Sequence, residues 1–250
     1  MLLVRYAADA GSTYGLISDD TLTGEVQPVG GLLDHRPVGE PVSLSEVRLL
    51  APVEPVTVLG MAHNTGPADR ELPAQAFFKP AASVVGPGEA IVVPGDIGIV
   101  EPEAELAVVI GARCRGLVPE EVPDAVLGWT AANDVTARDL QVSDPLWIRA
   151  KAFDTFTPLG PAIRLGMPDP DLTVALSVDG GPEVTAPLSA LARDVTEILC
   201  YLTTLMTLRP GDVVLLGAPA GRVEVPLHPG MEVSVRIDSL PALVNPVAAP

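Results

Sequence analysis

Cysteine is scarce in this chain. Cys114 and Cys200 are the only two in 250 residues, and neither sits in a Cys-x-x-Cys spacing. That pattern argues against a disulfide framework and against thiolate zinc, and fits a reducing cytoplasmic compartment. Long apolar runs are missing too, none approaching the ~20 residues of a membrane span. The first ten residues lack the apolar core and cleavage pattern of a signal peptide and read as an opening strand. Positive charge is also short: 15 Lys and Arg face 32 Asp and Glu, a net charge of −17. Nucleic acid and anionic membranes are therefore poor partners. Lysine is rarest of all, with Lys79 and Lys151 its two representatives among those 15 basic residues. A chain that uses arginine wherever charge suffices marks the positions where it keeps a compact ammonium whose pKa responds to burial.

Hydrophobic residues make up 48% and charged residues 19%, an ordinary globular balance with enough apolar surface for a large core. Residues 1–50 read as a small β-rich N-terminal domain, with strands at 2–7 and 13–18 joined through Asp9-Ala10-Gly11. A short helix is expected over 44–50, where Ser43 and Glu46 have capping-box spacing. Residues 51–250 read as the catalytic domain. Short β-branched runs at 56–59, 91–93, 106–110, 162–165, 172–178, 213–216 and 232–237 are separated by Pro and Gly turns. One long helix is expected over 188–208, stopped by Pro210-Gly211. Many strands and few helices predict a β-rich α+β fold.

Glu103 and Glu105 lead into the β-branched run at 106–110. Positions two apart on a strand share a face, which sets these carboxylates roughly 6–7 Å apart along the backbone. A hard divalent cation would relieve their repulsion. Alone, the pair also reads as a solvated acidic turn, and Glu101-Pro102 just upstream fits that description. Downstream come Asp134, in Asn133-Asp134-Val135-Thr136-Ala137-Arg138-Asp139-Leu140-Gln141, and Lys151, in Lys151-Ala152-Phe153-Asp154-Thr155. The spacing Asp134, Arg138, Gln141 predicts one shared helical face.

With Phe78-Lys79-Pro80, Pro210-Gly211-Asp212 and Gly217-Ala218-Pro219, these blocks resemble, in order, the fumarylacetoacetate hydrolase superfamily from about Val53 to Val247. The resemblance implies a mixed β-sandwich roll with a small N-terminal β domain, and a homodimer. Glu103, Glu105 and Asp134 would hold Mg²⁺ or Mn²⁺, an oxygen-only set with which Ca²⁺ is also compatible. The substrate would be a small anionic 2-oxo or β-diketo acid whose enolate the metal stabilises. Lys151 would add charge beside that enolate, with Lys79 at the pocket rim and Arg138, Gln141 and Thr155 facing substrate.

Two departures bear on the reaction. Where hydrolases of the family place a water-activating histidine, this chain has Gly66, and His63 stands three residues earlier. His63 is therefore either a displaced catalytic base or a loop residue. Ala218 occupies the position where the family offers a hydroxyl. The expected reaction is hydrolysis of a C–C bond in an acylpyruvate-like substrate. Decarboxylation of a β-keto acid and isomerisation of a 2-hydroxydienoate are alternatives on the same site, and a non-catalytic ligand-binding homologue is a third.

Overall fold

The computed structural model describes residues 1–8, 11–18 and 21–250. Asp9 and Ala10 of the expected first turn lie outside the described residues. The chain opens with β1 (Leu2–Ala8), β2 (Gly11–Ile17), β3 (Glu25–Val29) and β4 (Val42–Ser43), an antiparallel run of neighbours. Then follow β5 (Val58–Ala62), β6 (Gln75–Lys79), β7 (Val84–Val85), β8 (Ile91–Val92), β9 (Val100–Glu101) and β10 (Ala104–Ile110). The short helix α1 (Val122–Ala125) leads into β11 (Val126–Asn133) and β12 (Thr136–Ala137), followed by helices α2 (Arg138–Ser143) and α3 (Ile148–Lys151). The C-terminal part holds β13 (Thr157–Leu165), β14 (Thr173–Val178), β15 (Val184–Pro187), helix α4 (Val195–Leu205), β16 (Val213–Leu215), β17 (Glu232–Ile237) and β18 (Leu243–Ala248).

One large mixed sheet runs β4-β3-β2-β1-β13-β11-β10-β16-β5-β6, with β7 added beside β13. The pairing of β1 with β13 makes the first fifty residues share this sheet. A second sheet, β15-β14-β17-β18-β8, packs on it, and β12 pairs with β9 at the side. Every residue of β10 is buried because both of its faces are covered. Leu106, Val108 and Ile110 face one core with Val174, Leu176, Val235 and Ile237, whereas Ala107 and Val109 face another with Leu3, Val58 and Ile163. A strand buried on both sides reads as a continuous apolar run rather than an alternating one. No helix among the described residues is long and apolar enough to cross a membrane.

Three local expectations change. Residues 44–50 form only the 3₁₀ turn Leu44–Glu46, and the Ser43 hydroxyl meets that of Ser45 at 2.8 Å instead of capping backbone. The long helix is divided: a 3₁₀ turn at Leu188–Ala190 precedes α4, which starts where Asp194 accepts from the Glu197 N–H at 2.9 Å. The Glu197 carboxylate returns to the Asp194 N–H, completing a capping box that outcompetes continuous apolar periodicity. The third change is an addition: β11, central to the sheet, stands where the sequence reading places no strand, since its Gly128, Ala131 and Ala132 carry little strand propensity. Packing demands such small residues: a Cβ on Gly128 would lie 2.2 Å from the Arg164 carbonyl oxygen.

Candidate active site

Antiparallel register brings the acidic residues together. Ala104 on β10 pairs with Asn133 on β11, so Glu103 and Asp134 continue from adjacent strand ends. The Asp134 N–H donates to the Glu103 carbonyl at 2.9 Å, and the Glu103 N–H to Asn133 Oδ1 at 3.0 Å. Glu105 sits two residues into the same strand. One carboxylate oxygen from each of Glu103, Glu105 and Asp134 falls within 4.8 Å of the other two. Asp134 lies between two strands rather than on a helix, since α2 begins only at Arg138. The expected three-residue helical face does not form.

Two ammoniums flank this group. Lys151 ends α3, where its Nζ donates to Glu103 Oε2 at 2.8 Å and to Asp134 Oδ2, with the Phe77 ring 4.9 Å away. Lys79 ends β6, with Nζ 2.6 Å from Asp134 Oδ1 and 3.0 Å from the Lys151 carbonyl. Lys79 is thus walled off beneath the carboxylates and not at the pocket rim, because its side chain is completely buried. Burial lowers its affinity for a proton despite Asp134. Burial works in the same direction on Lys151, but Asp134 and Glu103 outweigh it and hold the ammonium above its ordinary range.

The carboxylates divide sharply. Burial would raise Glu103, yet Lys151 and Arg138 hold it down at about 2. Glu105 has no cation partner among the described residues; its Oε2 accepts from the Gly217 N–H at 2.6 Å. Burial, then the neighbouring Asp134 and Glu103, push it well above the usual carboxylate range. An all-oxygen cluster with one buried carboxylate lacking a counterion suits a hard divalent ion, which would take the three oxygens together. Gly217 is bound to its place by backbone: φ is 107° and an added Cβ would lie 2.4 Å from the Asn64 carbonyl oxygen.

Arg138 does not face the cleft as expected. Its guanidinium donates to Glu101 at 2.6 Å, Glu103 at 2.9 Å and Gln141 at 3.1 Å. Gln141 itself does line the cleft. Thr155 does not, because its hydroxyl accepts the Val92 N–H at 2.8 Å on the far side of the loop. Glu101 is not the solvated turn its sequence suggests. It is buried and takes Arg138 and Arg222 together, a role no local signal announced. His63 adopts a left-handed backbone, φ 53°, and its exposed imidazole stands edge-on to Trp147 at 5.7 Å. No carboxylate hydrogen-bonds that ring among the described residues.

These groups line an open cleft of about 390 Å³ with Glu103, Glu105, Asp134 and Lys151 at one end and Met61, Phe77 and Trp147 on its walls. Residues 48–248 match the fumarylacetoacetate (FAA) hydrolase C-terminal family, and residues 1–52 match the Rv2993c-like N-terminal family. The chain belongs to the fumarylacetoacetate hydrolase family. It is 35% identical to Protein Rv2993c of Mycobacterium tuberculosis over 99% of this chain and 98% of that protein. It is 34% identical to the mitochondrial oxaloacetate tautomerase fahd2 of Xenopus laevis, across 82% of this chain and 70% of that one. Among solved structures, 2-hydroxyhepta-2,4-diene-1,7-dioate isomerase from Mycobacterium marinum superposes with a TM-score of 0.91 at 34% identity, covering 100% of this chain and 98% of that chain. A maleylpyruvate hydrolase from Sphingobium sp. SYK-6, in complex with manganese(II) and pyruvate, gives 0.81 at 25% identity, covering 100% and 99%. Isomerases, hydrolases and tautomerases of this family thus share one fold with the present chain, and its acidic triad is a candidate metal centre.

Proposed function

We propose that this member of the fumarylacetoacetate hydrolase family catalyses metal-assisted keto–enol tautomerisation or double-bond isomerisation of a small 2-oxo acid. The observation that carries this reading is the convergence of Glu103, Glu105, Asp134 and Lys151 in a cleft whose histidine, among the described residues, hydrogen-bonds no carboxylate. Hydrolysis needs a base aimed at a water molecule that adds to the substrate, whereas tautomerisation and double-bond isomerisation add no water. The enolate is stabilised while one proton is given up to solvent in the open cleft and another is taken back at oxygen or at a different carbon. Relatives named for isomerisation support this reading, since a tautomerase and an isomerase each stand at 34% identity, a fumarylacetoacetate hydrolase at 30% and the maleylpyruvate hydrolase at 25%.

Glu103, Glu105 and Asp134 would hold Mg²⁺ or Mn²⁺, which supplies Lewis-acid stabilisation of an enolate when bound. The chain's own groups set the rest. Lys151 stays protonated between Glu103 and Asp134, so it offers charge and hydrogen bonds to substrate oxygens and does not act as the base. Lys79 fixes Asp134 from below, and Arg138 fixes Glu103 from the side. The Gly217 N–H orients Glu105 toward the cleft. Phe77 and Trp147 shield one wall from water.

The test is product analysis with Mg²⁺ or Mn²⁺ present, on the enol forms of 2-oxo acids, on 2-hydroxydienoates and on acylpyruvates. Same-mass products from the first two classes, with acylpyruvates left intact, are expected. Cleavage of an acylpyruvate with solvent oxygen entering the released acid would instead assign C–C hydrolysis.

A further inference from the structure

Beyond its 2-oxo acid end, the cleft is short of cations. Lys151 and His63 are the basic groups lining it among the described residues, and Lys151 is bonded to Glu103 and Asp134. Three arginines near the cleft are occupied, and the exposed Arg149 lines a separate groove with Asp96 and Phe153. Arg138 serves Glu101, Glu103 and Gln141, and Arg70 serves Glu197 and the Ala192 carbonyl. Arg193 donates to the carbonyls of His63, Asp69 and Leu72. On the rim stands a further negative charge, Asp69, whose Oδ2 accepts from the Thr65 N–H at 2.8 Å and hydroxyl at 2.9 Å. A second carboxylate on a ligand would meet this anion and find at most one imidazole to offset its desolvation.

The apolar side is well supplied. Trp147, held at φ 59°, sets its ring edge-on to Phe77 at 5.4 Å and to His63 at 5.7 Å. A groove of about 510 Å³ adjoins the cleft across this aromatic trio, sharing Ala62, His63, Phe77 and Trp147 with it. Its floor presents Phe78, Leu146 and Ile148, which are 58%, 78% and 61% exposed. Single exposed apolar residues are ordinary, but a contiguous patch joined to a polar, metal-type site marks a ligand surface.

We propose that the substrate carries an apolar alkyl or aryl chain beyond its 2-oxo acid head, and that this chain lies against Trp147, Phe77 and the groove of Phe78, Leu146 and Ile148. This rests on the 2-oxo acid reading above and narrows it to monocarboxylic substrates. Trp147 is then the residue that sets specificity.

Calorimetric titration of the Mg²⁺-loaded protein with 2-oxohexanoate and with 2-oxoglutarate tests it directly. The monoacid should bind at least about tenfold more tightly, as expected when the diacid must desolvate an unpaired carboxylate. Trp147→Asn, which tolerates positive φ, should reduce that preference to within about twofold. Val142→Arg places a cation at a 92% exposed position on the cleft rim and should raise 2-oxoglutarate affinity without disturbing the core. Equal or tighter binding of 2-oxoglutarate by the unaltered protein would overturn the inference alone. An unchanged preference in Val142→Arg would show that the missing cation is not what disfavours the diacid, and would overturn the inference as well. If neither acid binds, the 2-oxo acid reading fails and takes this inference with it.

Discussion

Lys79 and Asp134 form an ion pair at 2.6 Å in which neither side chain is more than 1% exposed. Lys79 therefore braces Asp134 from the interior instead of lining the cleft. Removing one partner of such a pair strands the other charge in the interior, which costs about 3–5 kcal/mol. Lys79→Met should lower the thermal midpoint clearly, and Lys79→Arg should do so too because the larger guanidinium overfills the site. A melting curve unchanged by either substitution would show that the pair does not form in solution.

The acidic triad predicts a metal-dependent gain in stability. Mg²⁺ or Mn²⁺ binding to the folded chain should raise the midpoint in proportion to the logarithm of its concentration. Glu103→Gln, Glu105→Gln and Asp134→Asn should each remove that response and the activity. Full turnover after exhaustive chelation would exclude this centre.

Without metal, Glu103 and Glu105 should act oppositely on the pH dependence of stability. Glu103, held at about 2 against an ordinary 4.5, contributes stability above that ordinary value and loses it as pH falls toward about 2. Glu105 is raised, so its contribution is present at acid pH and is lost as pH climbs through its elevated value. Denaturant melts across pH should accordingly find metal-free Glu105→Gln more stable than the parent at neutral pH. The advantage should vanish in acid, where Glu105 is already protonated. Equal stability at neutral pH would mean that the crowding is relieved in some other way.

His63 discriminates between reactions. For tautomerisation, His63→Ala should change kcat by no more than about threefold, whereas a water-activating base would lose about 10²-fold or more. The kcat of the purified variant, measured on the enol substrate and on an acylpyruvate, decides this.

Lys151→Arg should fail nearly as badly as Lys151→Met. The ammonium bridges Glu103 and Asp134 beneath the Phe77 ring, and a planar guanidinium cannot take the same position. The loss should fall mainly on kcat if the contact strengthens in the transition state. Near-normal turnover would reduce Lys151 to a simple positive charge.

Much of the site was legible because its residues are close in sequence order to recognisable strand ends. Glu103 and Glu105 lie two apart before an apolar run, and rarity singled out both lysines. The misplacements share one cause. Their motifs place Arg138 and Thr155 facing substrate and Lys79 at the pocket rim because they adjoin the acidic triad, but side-chain direction depends on which partner satisfies each group. Arg138 turns to Glu101, Thr155 to the Val92 amide and Lys79 to Asp134. Trp147 and Phe77 stand beside the recognised blocks of Lys151 and Lys79, but nothing local announces that their rings wall the cleft, and the Gly217 block does not announce that its amide holds Glu105.

By itself, the sequence determined the β-rich class, about half of the strands, the oxygen-only character of the acidic triad and the two lysines. Those follow from local periodicity and from residue chemistry, which need no partner. Tertiary structure alone decided that Glu101 is buried, that Asp134 caps a strand instead of joining a helix, and that Glu105 is the carboxylate without a counterion. Each depends on antiparallel register and on contacts between segments 30 to more than 100 residues apart, such as Glu103 with Asn133 and Glu105 with Gly217. Burial then sets the charge balance that the bare order of residues cannot express.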